Sequence, residues 1–411
     1  MGVRVTSEIG ALETVICHTP GPELLAVTPS TKEDFLYDDL LDLEEASREH
    51  KRFKALLSRF AEVHELSDLL AEVMEMEEAR SLLMERVMDV THSEPLGRML
   101  LDGPVDALVR MFIEGRVIEE GPLARVLNVE SYALPPLPNL FFTRDAGMVV
   151  GEGVIIGSMR HTVRWTEEIL LKALFTYHPA LQHSGFIYDG SEERRSGYTM
   201  EGGDVHVLRP DTAMIGVSQR SSPVAFDVVA AELGQRHGVE HIIVVVLPSD
   251  RAMIHLDMVF TMVDRHHAVI FPPAFVGPDR YAVLHCRTST GSMREMPNLF
   301  AALREVDLEL EPIFCGGDRR TFQEREQWSS GCNFVAVRPG VVLGYSRNEH
   351  TYAEMEREAG FRIIDGVDYL TGDAELEDDD RAVLTFEGAE LVRGGGGGRC
   401  MTLPVRREDV W

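Results

Sequence analysis

The stretch Asp204-Val-His-Val-Leu-Arg-Pro-Asp-Thr-Ala-Met-Ile-Gly-Val217 decides how this chain is read. Two β-rich runs flank the turn pair Pro210-Asp211, the signal of a hairpin. An amphipathic pattern over about Pro223 to Gln235 follows, and Ile242-Ile-Val-Val-Val closes the unit as a further strand. The same order of strand, turn, strand and helix recurs on both sides. Upstream, Ala146-Gly-Met-Val-Val turns at Gly151-Glu-Gly153 and resumes at Val154-Ile-Ile-Gly, with a helix over about Thr162 to Tyr177. Downstream, Met258-Val-Phe-Thr-Met-Val turns at Asp264-Arg265 and returns as Ala268-Val-Ile-Phe. Its helix is expected near Pro297 to Val306, with the proline in the first helical turn. A fourth copy begins at Asn333-Phe-Val-Ala-Val, turns at Pro339-Gly340 and returns as Val341-Val-Leu-Gly-Tyr. Its helix lies near Thr351 to Ala359 and Phe361-Arg-Ile-Ile closes it. Recurrence of one supersecondary unit points to radial or stacked repetition.

The N-terminal strand Glu13-Thr-Val-Ile-Cys-His18 has a helix (about Glu44 to Phe60) and a strand (Glu62-Val-His-Glu-Leu) after it, but no hairpin partner nearby. The C-terminal run Met401-Thr-Leu-Pro-Val can supply that partner, and a ring of five units joined by both termini has no free sheet edge at the joint. Between about Ser67 and Glu130, Leu, Met and Val recur at helical spacing with few turns. The expected fold is therefore α/β, with residues 1–66 and 131–411 forming the repeated unit and residues 67–130 a helical insertion. The alternative is that these helices pack within the main domain.

Composition narrows the function. The 411 residues carry 40 Lys plus Arg against 68 Asp plus Glu, a formal charge of −28. Such a surface repels phosphate backbones and anionic lipid, which argues against nucleic-acid and membrane partners and suits a small cationic one. No apolar run is long enough to cross a bilayer, and the first ten residues contain Glu8 and no apolar signal core. The five cysteines are scattered without a CxxC pair, which fits reduced thiols in a cytoplasmic protein.

Polar clusters interrupt the apolar runs at Asn139 to Asp145, Met200 to Asp204, His255 to Asp257, and Gly394 to Cys400. Each stands at the head of a repeat or near the end of the chain, and in a ring those positions converge on the axis. Singly they are weak. A lone cysteine is more often a small buried hydrophobe than a nucleophile. The glycine run reads as a flexible linker, or as backbone that approaches a ligand closely. His255 and Asp257, two apart, would share one face of a strand. They read as a satisfied core pair or as two metal ligands lacking a third. No HExxH motif favours metal, and the glycine run does not open a helix after a strand as a dinucleotide site requires.

Taken together, the clusters resemble arginine deiminases, of the guanidine-modifying superfamily. The resemblance spans nearly the whole chain: Ser7-Glu-Ile-Gly10, His18-Thr-Pro-Gly-Pro-Glu23, Tyr37-Asp-Asp39, Phe142-Thr-Arg-Asp145, Glu201-Gly-Gly203, His255-Leu-Asp257, Arg325-Glu-Gln-Trp328, Asn333, Arg347-Asn348 and Arg399-Cys-Met401. It implies a five-bladed α/β propeller of ββαβ units with a helical insertion, and hydrolysis of L-arginine to L-citrulline and ammonia without cofactor or metal. By the same resemblance Cys400 is the nucleophile, His255 the general acid and base, and Glu201 its carboxylate partner. Asp145 and Asp257 grip the guanidinium, while Asn139, Phe142, Arg164 and Arg220 belong to substrate binding, the arginines and Asn139 near the α-carboxylate. The family's loop usually reads Arg-Gly-Arg-Gly-Gly. Here it is Arg393-Gly-Gly-Gly-Gly-Gly398, so Gly395 replaces an arginine that reaches the carboxylate. Either Arg393 or Arg399 compensates, or the substrate is another guanidino compound, handled by a deiminase or amidinotransferase. A non-catalytic arginine-binding homologue is the third reading. Whether the chain forms a homo-oligomer is left open by the sequence.

Overall fold

The computed structural model describes residues 2–118, 121–127, 132–192 and 197–411. The expected limit of the helical segment at residues 130/131 lies outside them. Among the described residues the chain builds an α/β fold from five sheets, each containing an antiparallel pair followed by a helix and a parallel strand, plus a two-stranded ribbon.

The unit that decided the sequence reading pairs Val205–Arg209 with Thr212–Val217 in antiparallel fashion. The helix Pro223–Arg236 then returns the chain to His241–Val246, which pairs in parallel with Thr212–Val217. Ser222 caps that helix by accepting from the Ala225 N–H, and Pro223 occupies its first turn, where no intrahelical donor is needed. The unit before it pairs Gly147–Val150 with Gly153–Ile156, crosses over through Trp165–Tyr177 and closes on Phe186–Asp189. Both strands of that first hairpin are wholly buried, as expected of a sheet covered on two faces.

The N-terminal strand Leu12–Cys17 pairs antiparallel with the C-terminal strand Leu403–Arg407 and parallel with Glu62–Glu65. The termini thus complete one sheet, with the helix Leu43–Leu57 as its crossover.

Three local expectations change. The helix of the third unit runs Leu299–Glu305, and Asn298, not Pro297, opens it by accepting from the Ala301 N–H at 2.8 Å. The hairpin Val283–Arg287/Ser292–Met296 precedes that helix and extends the sheet of the second unit. In the fourth unit Ala382–Phe386 enters between Val341–Tyr345 and Arg362–Asp365, so the run after Phe361 is an edge strand. Ala382–Phe386 is fully buried and Arg362–Asp365 mostly exposed, so burial decides which strand takes the central place.

Helices occupy Leu66–Val73, Glu77–Thr91, Glu94–Asp102, Val105–Glu114 and Pro122–Leu127. Leu69, Leu70, Leu83 and Val87 share one apolar core with Ile155, Leu170 and Leu174 of the neighbouring unit. No helix among the described residues is long and apolar enough to cross a membrane.

Leu403 is fully buried at the joint between the two terminal strands. Leu403→Ala should destabilise the chain by about 2–5 kcal/mol. Denaturant unfolding should record this as a lower midpoint at unchanged slope.

Candidate active site

The heads of the units are short turns, and they bring the polar clusters together. Thr143–Ala146 is one helical turn before the first hairpin, Gly202–Asp204 one 3₁₀ turn before the second, and Leu256–Met258 another before the third. Cys400 sits in a turn ahead of Leu403–Arg407.

His255 and Asp257 are therefore not neighbours on a strand face. His255 is extended and Asp257 lies within the 3₁₀ turn, because Asp204 Oδ1 accepts from the Leu256 N–H at 2.9 Å and pulls the backbone into a turn. Asp204 is anchored in turn by the Ser218 hydroxyl at 2.6 Å, and burial pushes its carboxyl up to about 6. Gly203 allows this approach: a Cβ there would lie 2.5 Å from His255 Nδ1.

His255 Nε2 is 2.8 Å from Glu201 Oε2, and His255 Nδ1 is 3.7 Å from Asp145 Oδ1. Burial alone would lower the imidazole pKa, but Asp145, the hydrogen bond to Glu201 and Asp204 outweigh it and raise it to about 9. Glu201 has the opposite balance. Burial disfavours its charge, yet Arg220 and His255 hold its pKa well below the usual carboxylate range. The two directions agree on a charged imidazolium–carboxylate pair at neutral pH. Glu201 also accepts from the Arg160 N–H at 2.9 Å and from Arg220 Nη1 at 3.3 Å.

Asp145 receives Arg164 Nη1 at 2.7 Å through Oδ2, while its Oδ1 is buried without a hydrogen-bond partner. Asp257 receives Arg399 Nη1 at 2.9 Å through Oδ2, and its Oδ1 is likewise unpartnered. Each of the two carboxylates thus keeps one oxygen free of hydrogen bonds, that of Asp145 lying beside the His255 imidazolium. Cys400 Sγ lies 3.6 Å from Asp257 Oδ2. Burial, Asp257 and Asp145 push the Cys400 thiol well above its ordinary value, against the Gly397 N–H and Arg399, which favour the thiolate.

A cavity of about 280 Å³ opens onto this cluster, lined by Asp145, Arg220, His255 and Cys400 at its chemical end and by Trp328 and Gly394–Gly396 among the remaining wall residues. Asn139, Phe142 and Arg164 also line it. Asn139 donates to the Phe35 carbonyl at 2.8 Å. The fork of Arg164 is occupied, with Nε and Nη2 on Glu167 at 2.8 Å each and Nη1 on Asp145. Arg220 keeps its Nε without a partner and buried.

Neither arginine weighed as a substitute at Gly395 is free among these contacts. Arg399 is buried, with Nε and Nη2 on Glu8 at 3.0 and 3.1 Å and Nη1 on Asp257, so it faces the interior rather than the cavity. Arg393 lines the mouth and pairs with Asp39 at 2.7 Å and Glu390 at 3.0 Å.

Asp145, Glu201 and His255 place one donor atom each within 4.8 Å of one another, a spacing a metal could use. His255 is held charged against Glu201, so at neutral pH its ring nitrogens carry protons and offer no lone pair to an ion.

A family model described as arginine deiminase matches residues 33–407. This chain belongs to the arginine deiminase family. It is 33% identical to the arginine deiminase of Bacillus thuringiensis subsp. konkukian, with 99% of each chain covered. It is 32% identical to that of Streptococcus uberis, covering 99% of this chain and 98% of the relative. Among solved structures it is similar to the N-terminal domain of ArgZ, an arginine dihydrolase from cyanobacteria, with a TM-score of 0.53 at 15% identity over 96% of this chain and 97% of that one. Dimethylarginine dimethylaminohydrolase gives a TM-score of 0.50 at 15% identity over 95% and 99%. At those identities the likeness concerns the fold alone.

The raised pKa of His255 has a stability consequence. Its charged form is favoured by folding, so its contribution is complete below about 6.5 and lost as pH rises through about 9. The stability difference between wild type and His255→Gln should therefore be larger near pH 6 than near pH 9.5, measured by chemical denaturation at about those two values. A difference constant with pH would contradict the charged pair.

Proposed function

We propose that this arginine deiminase family member hydrolyses the guanidinium of L-arginine, giving L-citrulline and ammonia through a thiol-bound intermediate. The observation that carries this is the buried thiol of Cys400 set beside Asp145 and Asp257, each with one carboxylate oxygen unpartnered. Such oxygens suit the N–H groups of a planar cation and can fix its plane for attack. The Cys400 thiolate attacks the guanidinium carbon, the C–N bond breaks, and the leaving nitrogen takes a proton from His255 to depart as ammonia. The carbon is then held as an S-alkylthiouronium. His255, neutral after that transfer, accepts a proton from water, which adds to the carbon; the C–S bond breaks, the proton of the added hydroxyl passes to the departing sulfur, and the ureido product leaves. Glu201 keeps the imidazole oriented throughout. The incoming cation adds positive charge beside the sulfur and offsets the carboxylates that disfavour thiolate.

We infer further that the five units stand around a pseudo-fivefold axis as a propeller, with residues 67–130 inserted between the unit that holds the two terminal strands and the unit that opens at Gly147. The meeting of the cluster-bearing turns at one cavity supports that arrangement. Five unpaired cysteines support a cytoplasmic location. The acidic balance supports a small cationic substrate over nucleic acid.

A second reading, a guanidino compound other than L-arginine, is favoured by Gly395. With Arg399 turned inward and Arg164 held by Glu167, Arg220 is the buried arginine with donor capacity to spare for a carboxylate.

Two experiments test this. Cys400→Ala should fold and lose citrulline formation from L-arginine, with Cys286→Ala active; retained turnover in Cys400→Ala would sink the mechanism. Gly395 has φ +92°, and a Cβ there meets nothing within 4 Å, so an arginine has room at the cost of a left-handed backbone. That strain is common to all substrates. Gly395→Arg should raise the kcat/KM ratio of L-arginine over agmatine by about tenfold, from one new charge-assisted bond to the carboxylate. An unchanged ratio would mean that the carboxylate is held elsewhere.

A further inference from the structure

Four of the five unit heads carry the groups discussed so far. The fifth head, just before Val335–Arg338, carries Asn333, which is buried and touches the reacting atom. We propose that Asn333 is a further catalytic residue, whose side-chain amide both seats the turn of Cys400 and donates a hydrogen bond to its sulfur so that the thiolate can form. This rests on the reading of Cys400 as nucleophile.

The orientation of the amide is decided by its partners. Oδ1 accepts from the Cys400 N–H at 3.1 Å and from the Gly397 N–H at 3.2 Å. Backbone amides can only donate, so the oxygen must face them and Nδ2 must face the other way. There Nδ2 lies 3.1 Å from Cys400 Sγ and 3.1 Å from the Asp257 carbonyl. One side chain therefore links the glycine loop, the cysteine turn and the head of the third unit. Asn333 has its own anchor, its N–H donating to the Ser330 carbonyl at 3.0 Å.

The sulfur needs such a donor. Asp257 and Asp145 oppose its ionisation, and Tyr345 packs near it with its hydroxyl already donated to the Gly396 carbonyl at 3.0 Å. Favouring the thiolate are Arg399, which is shared with Glu8 and Asp257, the Gly397 N–H, and Asn333. Across the cavity wall, His255 is tied to Glu201. A neutral amide can stabilise the anion without forming an ion pair that would compete with a cationic substrate.

Asn333→Asp tests this, because it keeps Oδ1 for both backbone amides while replacing the donor to sulfur by a third carboxylate. The readout is the pH profile of Cys400 alkylation by iodoacetamide, resolved by peptide mass spectrometry, together with kcat and KM for L-arginine. We expect the alkylation midpoint to rise by about one pH unit or more and kcat to fall by about tenfold to a hundredfold, with KM within about threefold, as loss of a hydrogen bond to a charged group predicts. Because the new carboxylate would itself raise the midpoint, Asn333→Ala is measured beside it; a residue that only shaped the turn would leave the midpoint of Asn333→Ala unmoved. An unmoved midpoint with wild-type kcat, in a protein where Cys400→Ala is inactive, would overturn the role of Asn333 alone. Activity in Cys400→Ala would instead overturn the underlying reading. Should Asn333→Asp not fold, Asn333→Ala carries the same expectation and the same overturning result.

Discussion

The guanidinium of Arg399 is the contact on which the rest of the site hangs. It is almost fully buried and uses its fork on Glu8, on Asp257 and on the Val205 carbonyl, at 2.7 to 3.1 Å. These partners come from the N-terminal segment, the head of the third unit and the first strand of the second. The residue beside Cys400 thus fastens three distant parts of the chain to the turn that carries this thiol. Removing one partner of such a buried set typically costs about 3–5 kcal/mol, because the remaining charge is left uncompensated. Arg399 also fixes which oxygen of Asp257 remains unused.

This contact explains what could and could not be read from the sequence. The hairpin and helix of each unit were legible because alternation, turn pairs and capping residues act over a few positions, as in Val205–Val217 and the helix after Ser222. Strand order was not legible. Ala382–Phe386 and Arg362–Asp365 look alike as short β-rich runs, and which becomes central depends on burial against distant residues. Arg399 next to a cysteine reads as a substrate contact until Glu8, 391 positions away along the chain, is found paired with it. The turn at His255 was hidden for the same reason, since Asp204 bends that backbone from another unit.

The candidate site was legible as a set of residue types and not as a geometry. Clusters at the heads of repeats announced that Asp145, Glu201, His255 and Cys400 could meet. Asn333 stood at an equivalent position, but a single asparagine before a strand is an ordinary turn residue. Only its two backbone acceptor contacts and its distance to sulfur distinguish it. Arg164, expected beside the substrate carboxylate, has its fork directed at Asp145 and Glu167, so its visible work is orienting Asp145.

The unused oxygens of Asp145 and Asp257 also bear on how a catalytic cycle ends. In the proposed reaction the guanidinium arrives charged, and each carboxylate oxygen free of hydrogen bonds would gain from meeting it. The ureido group that replaces it is neutral. The same oxygens then face N–H donors of the ordinary strength of an amide, and the attraction that filled the cavity weakens as the reaction completes. Uptake and product release would therefore follow from one arrangement of charge, with no separate device needed to expel the product.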